Sequence, residues 1–157
     1  MPTAAILTIS DSASQNKRDD LSGPAIAATL LEQGYNLIST DIVPDDRGRI
    51  AATIIHMCEV AQLVVTTGGT GLSPRDVTPE ATASICDKQV PGIAELMRSE
   101  GLKQTPLASL SRGICGARGK SLILNLPGSP KGATASLSAI LHLIPHALDL
   151  LAGKTEH

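Results

Sequence analysis

Phenylalanine and tryptophan are missing from this 157-residue chain, and Tyr35 is its single aromatic residue. Aromatic side chains supply the platforms on which single-stranded nucleic acid stacks, so their scarcity argues against that class of partner. An excess of one charge is missing too. The formal net charge of −2 gives no general pull toward nucleic acid or an anionic membrane. Cysteine is sparse and odd in number. Cys58, Cys86 and Cys115 lie far apart and form no metal-spaced pair, so reduced thiols and a cytoplasmic setting are expected. No stretch reads as the ~20 apolar residues of a membrane span. Met1-Pro2-Thr3 lacks a basic segment and the apolar stretch 4–9 is short, so no secretory signal is expected. What is present is aliphatic: 42% of residues are hydrophobic, enough for a core of Ile, Leu, Val and Ala. The length suits a single domain over residues 1–157.

Apolar runs alternate with helical patterns. Residues 4–9 read as a buried strand, and 37–43, 62–67 and 121–126 read as further strands. Ser22-Gly23-Pro24 opens a helix whose Ile26, Ala27, Leu30 and Leu31 share one face, and Gly34 stops it. Further helices are expected through Ile50–Cys58, from Pro79, from Pro91 through Met97, over Ala133–Ile144, and from Pro145. Ser10–Asp20 reads as a polar loop. Strands alternating with helices predict a parallel sheet covered on both faces.

Residues 66–82 carry the most chemistry: Thr-Thr-Gly-Gly-Thr-Gly-Leu-Ser-Pro-Arg-Asp-Val-Thr-Pro-Glu-Ala-Thr. A strand ends there, glycines follow, and a helix starts at Thr78-Pro79-Glu80. Gly68, Gly69 and Gly71 let backbone N–H groups approach an anion closely. Thr67 and Thr70 add hydroxyl donors. Arg75 can pair with a phosphate and Asp76 can hold a divalent cation. The segment is neither a P-loop nor a dinucleotide fingerprint. A plain glycine-rich turn is the alternative.

Aspartates recur where strands end: Asp11 after the first, Asp45 and Asp46 after the second, Asp76 after the third. In an open parallel sheet, ligands sit beyond the carboxyl ends of the strands. Carboxylates gathered beside phosphates suit Mg²⁺, which prefers oxygen ligands and keeps some waters. Alternatively, Asp45 or Asp46 caps the next helix. A second cluster spans 111–132. Ser111, Arg112, Arg118 and Lys120 flank glycines, and Asn125-Leu126-Pro127-Gly128-Ser129-Pro130 follows a strand. It would suit a second anion, or be a solvated loop and a Pro-Gly turn. His142 and His146 have the spacing of a zinc pair, but Pro145 intervenes and no third ligand is evident. Ser10, Ser12 and Ser14 lack a general base.

Ser10-Asp11-Ser12, Asp20 with Ser22-Gly23-Pro24, Pro44-Asp45-Asp46, Thr67-Gly68-Gly69-Thr70-Gly71, Pro74 to Glu80, Pro91-Gly92, Leu110-Ser111-Arg112 and Asn125 to Pro130 follow one another in order. In this the chain resembles the molybdopterin adenylyltransferase family of molybdenum cofactor biosynthesis. The gephyrin G domain and the corresponding plant domain are similar. One departure is Leu21, where the family often has Arg. The resemblance implies a three-layer α/β/α sandwich around a mostly parallel sheet, and a homotrimer. It implies Mg²⁺-dependent transfer of AMP from ATP to the terminal phosphate of molybdopterin, releasing pyrophosphate. Asp45 and Asp76 would then act with Mg²⁺, and Gly68 to Gly71 would cradle phosphate. Ser111 and Arg112 fall where the family binds the pterin. Pro127, Gly128 and Pro130 line the nucleotide side, and Asp11, Thr67, Thr70, Arg75 and Asn125 complete the substrate-binding set. Metal insertion would need a separate insertase protein. A non-catalytic pterin carrier or scaffold, and a nucleotide-pyrophosphate hydrolase, are the competing readings.

Overall fold

The computed structural model describes residues 1–155. Four strands run parallel: β1 (Thr3–Ile9), β2 (Asn36–Val43), β3 (Leu63–Thr67) and β6 (Ser121–Leu126). Two more extend the sheet beyond β6 in antiparallel pairing: β5 (Cys115–Arg118), then β4 (Lys88–Gln89). The strand order is β2-β1-β3-β6-β5-β4. The sheet is therefore mixed, as the expected mostly parallel sheet allows, and the last two strands were not visible in the sequence.

Side chains alternate across a strand, so each strand feeds two cores. On one face Ile6, Leu63, Val65, Leu122 and Leu124 are buried with Ile26, Leu30, Met97, Leu137 and Leu148. These come from α2 (Ser22–Glu32), α5 (Pro91–Gly101), α6 (Pro130–Ile140) and α7 (Ile144–Leu151). On the other face Ala5, Leu7, Val64 and Ile123 pack with Ile50, Ile54, Met57 and Ala81, from α3 (Arg47–Cys58) and α4 (Thr78–Ile85). This is the three-layer sandwich the alternating pattern implied.

Two local expectations are corrected, and one element is added. Ser10–Asp20 is not all loop: Ser10 caps a short helix, α1 (Asp11–Ser14), by accepting from the Ala13 N–H at 3.2 Å. A 3-10 turn at Pro106–Leu110 follows α5. Residues Pro130–Leu151 run on as one 22-residue helical stretch of mean hydropathy 1.3, long and apolar enough to cross a membrane by length and composition. In the fold, however, Ala133, Leu137, Ile140, Ile144 and Leu148 of that stretch are buried against the sheet, as befits a one-faced helix.

All four parallel strands end on one edge. Ser10-Asp11, Pro44-Asp45, Gly68 and Pro127 follow their last residues. The cysteines lie elsewhere, near α3, α4 and β5. Burial pushes the thiol of Cys86 up to about 11 and that of Cys115 up to about 12, so neither is a nucleophile at neutral pH.

Candidate functional site

The glycine loop is anchored through its carbonyls. Gly68 O accepts from Thr78 Oγ1 at 2.9 Å, and Gly69 O from the Thr78 N–H at 3.1 Å. Thr70 O accepts from the Arg112 N–H and Gly71 O from Arg112 Nε, each at 2.8 Å. The N–H groups of Gly69, Thr70 and Gly71 donate to no protein acceptor among the described residues. Carbonyls turned inward and successive amides left over make an anion-binding arrangement. Gly68 and Gly69 hold φ of 100° and 68°, values that favour glycine.

The resemblance sets Arg112 where the family binds the pterin. In this structure its guanidinium makes three bonds within the protein. Nε holds Gly71 O, NH2 holds Asp76 O at 3.0 Å, and NH1 pairs with Glu80 at 2.6 Å. Arg112 ties the loop, Asp76 and α4 together. Glu80 is held below its ordinary value of 4.5, chiefly by that hydrogen bond. Both side chains are over a third exposed, so the ion pair itself adds less than ~1 kcal/mol. Losing the backbone carbonyl bonds should cost about 2 kcal/mol. Arg112→Met is therefore expected to lower the unfolding free energy from urea denaturation by that amount at pH 7. Because the folded Glu80 value is depressed, the pair stabilises above pH 4.5 and its contribution fades as pH falls through the lower folded value. The gap between native protein and variant should narrow there, and an unchanged gap would mean Glu80 takes no part.

Asn125 is likewise buried and satisfied. Its Nδ2 donates to Thr66 Oγ1 and Thr82 Oγ1, both at 3.0 Å, and its Oδ1 accepts from the Ile114 N–H at 3.2 Å. Its amide pins β6 to β3 and α4. Thr67 Oγ1 donates to Pro127 O at 2.7 Å, which fixes the loop after β6 against the end of β3.

The acids divide by role. Asp46 caps α3, accepting from the Arg49 N–H at 3.0 Å. Asp11 makes a bidentate pair with Arg75, at 3.0 and 2.9 Å, which holds its carboxyl below the usual range. So Asp11 and Arg75 neutralise each other. Asp11 and Asp45 also exchange backbone bonds: Asp45 N–H to Asp11 Oδ1 at 2.9 Å, and Asp11 N–H to Asp45 Oδ2 at 3.1 Å. That leaves Asp45 Oδ1 buried with no partner. Burial raises the Asp45 carboxyl, and the Asp11 and Asp76 charges raise it further. A buried, unpaired carboxylate oxygen is costly without a cation. Asp76 accepts from the Ser73 N–H at 3.1 Å through Oδ2. Among the described residues no three acids, histidines or cysteines form a metal cage; His142 and His146 form none either. Asp45 and Asp76 therefore fit a cation such as Mg²⁺ that draws its other ligands from phosphate and water.

Two cavities meet here. One, of about 470 Å³, has walls from Met97, Leu107, Ala108 and Leu110 and includes Thr70, Gly71, Ser111 and Asn125. The other, of about 450 Å³, takes in Asp20, Asp45, Thr67, Gly68 and Pro130. They share Gly69, Asp76, Gly128 and Ser129. Leu21 lines the second cavity, where Arg18 is the one cation among the described lining residues. The expected second basic cluster splits. Ser111 and Arg112 stand at this edge, but Arg118, Gly119 and Lys120 form the β5–β6 turn at the opposite end of β6, with Arg118 bonded to Ile85 O at 2.8 Å.

Comparisons with known proteins fit this geometry. The family model described as a probable molybdopterin binding domain matches residues 5–146. A molybdopterin adenylyltransferase of Helicobacter pylori is 48% identical over 153 residues, spanning 95% of this chain and 87% of that protein. The molybdopterin biosynthesis enzyme MoaB of Thermus thermophilus superposes with a TM-score of 0.92 at 47% identity, covering 98% of each chain. Gephyrin of Dictyostelium discoideum is 39% identical, but the chain spans only 22% of its length. In sequence and in shape over nearly its whole length the chain is similar to proteins of one kind, and it belongs to the molybdopterin adenylyltransferase family.

Proposed function

We propose that this protein transfers AMP from Mg-ATP to the terminal phosphate of molybdopterin. The observation that carries this reading is the wall shared by two cavities, with Asp76 and the Gly69 backbone between them. Joining two phosphorylated molecules requires their reacting groups to meet at one point from two sides. An oxygen of the molybdopterin phosphate attacks the α-phosphorus of ATP. The bond from that phosphorus to the bridging oxygen breaks, and pyrophosphate leaves. The nucleophile belongs to the substrate, so no activated side chain is needed. The raised Cys86 and Cys115 thiols agree with that.

Molybdopterin takes the apolar cavity beside Ser111, and ATP takes the acid-lined cavity beside Thr67, Gly68, Gly128 and Pro130. The free N–H groups of Gly69, Thr70 and Gly71 receive phosphate oxygens. Asp45 and Asp76 would hold Mg²⁺, which supplies charge neutralisation between the two polyanions. Asp11, Arg75, Arg112 and Asn125 hold these parts in place. The protein works as a single domain over residues 1–157, as a homotrimer in the cytoplasm, and hands its product to a separate insertase. Neither nucleic acid nor membrane is a partner.

Incubating the purified protein with Mg-ATP and molybdopterin should yield adenylylated molybdopterin and pyrophosphate in equal amounts. Molybdopterin binding without product would favour a carrier instead. ATP cleavage in the absence of molybdopterin would favour a hydrolase.

A further inference from the structure

With Arg112 spent on the loop, the apolar cavity needs another source of positive charge. Arg98 is the one Lys or Arg among its described lining residues. It sits in the last turn of α5 and is half-buried. Its NH1 donates to Gly113 O at 2.9 Å and to Ser111 O at 3.4 Å. Those two bonds fix the guanidinium against the 111–113 segment. Nε and NH2 have no protein partner among the described residues. The trans peptide joining Ser111 to Arg112 holds Arg98 through its C=O and Thr70 O through its N–H, which point apart, so Arg98 lines the same cavity as the glycine loop from the far side of that one peptide.

We infer that Arg98 binds the terminal phosphate of molybdopterin and positions it for attack. This rests on the adenylyl-transfer reading above. A guanidinium held by one nitrogen and open at the others is oriented before the ligand arrives, and its planar fork suits a phosphate. Arg112 is committed by three bonds within the protein and is not among the described residues that line this cavity. The glycine loop contributes N–H dipoles, and Arg98 contributes the full charge on the molybdopterin side of the shared wall.

The experiment compares molybdopterin with its dephosphorylated form by calorimetric titration, using native protein, Arg98→Ala and Arg98→Gln. Gln removes the charge and keeps a polar amide but is two bonds short of the Gly113 carbonyl, so the dephosphorylated form reports any lost support of the 111–113 segment in both variants. Both variants should lose about 10- to 100-fold in affinity for molybdopterin, as loss of a charged hydrogen bond implies. Their affinities for the dephosphorylated form and for Mg-ATP should stay within about twofold of native. Equal losses for both forms would mean that Arg98 only supports the 111–113 segment and would overturn the inference, as would no loss for either. Native protein that binds neither form would instead overturn the functional reading itself, and the inference with it.

Discussion

Asp45→Asn is expected to abolish adenylyl transfer yet leave the metal-free protein at least as stable as the native one. Asp45 Oδ1 is buried and unpaired. Its carboxyl is raised by burial, then by the Asp11 and Asp76 charges. Without a cation the ionised form is therefore a burden, and the neutral amide removes it. Turnover should fall by about 10²- to 10³-fold, the usual loss when a main electrostatic element of a site is removed. The pH dependence has a definite sign. A folded value raised above the ordinary 3.8 means that the native protein holds the full contribution of protonated Asp45 below pH 3.8 and loses it as pH rises through the folded value. The variant has no such loss, so its advantage in melting temperature should grow over that window and stay level at higher pH. Added Mg²⁺ should stabilise native protein more than the variant. Near-native turnover, or a variant clearly less stable than native at pH 7 without metal, would remove Asp45 from the metal site.

Gly68→Ala is expected to damage the fold itself. An added Cβ at Gly68 would run into the backbone oxygen of Ile9 on β1, and φ there is 100°. Backbone cannot swing aside as a side chain can. The left-handed conformation alone costs ~1–2 kcal/mol, and the forced shift of β1 should bring the total to about 3 kcal/mol or more. Gly119→Ala is the matched control: φ is 56° with nothing within 4 Å of the added atom. It should lose only ~1 kcal/mol. Denaturant unfolding of the pair separates strain from collision, and equal losses would refute the close-approach account. Gly69 behaves differently from what a glycine facing only phosphate would do. Its Cβ would meet Thr78 Oγ1, and Asp45 Oδ1 at 3.0 Å. Gly69→Val should therefore lower stability along with nucleotide affinity, not affinity alone.

Three of the parallel strands, β1, β3 and β6, were readable because each is a short buried run, and burial on both faces removes the need for polar alternation; β2, the exposed edge strand, was readable from its β-branched residues. The gathering of Asp11, Asp45 and Asp76 followed from that, since strands in one direction end on one edge. β5 was missed because Cys-Gly-Ala-Arg is short and has little β character. The turn through Gly119, at φ 56°, was its available signal: two residues joining Arg118 to Ser121. Missing that reversal put Arg118 and Lys120 at the wrong end of β6. The partners of the Arg112 side chain and the two threonines bonded to Asn125 lie 32 to 59 positions away, beyond the reach of local pattern. Arg98 gave no sign, because a basic residue in the last turn of a helix already has a reason to be there.

The inward bonding of the loop carbonyls has a thermodynamic consequence. Glycine-rich segments have the most conformational freedom to lose, about 1–2 kcal/mol per residue. In this chain Thr78 and Arg112 exact that loss when the protein folds, and an anion arrives at amides already preorganised. Association should then need no ordering step: the Gly68, Thr78 and Arg112 amides, bonded to Leu126 O, Gly69 O and Thr70 O, should exchange slowly before any ligand is added, while the unbonded Gly69, Thr70 and Gly71 amides should gain protection only when an anion binds.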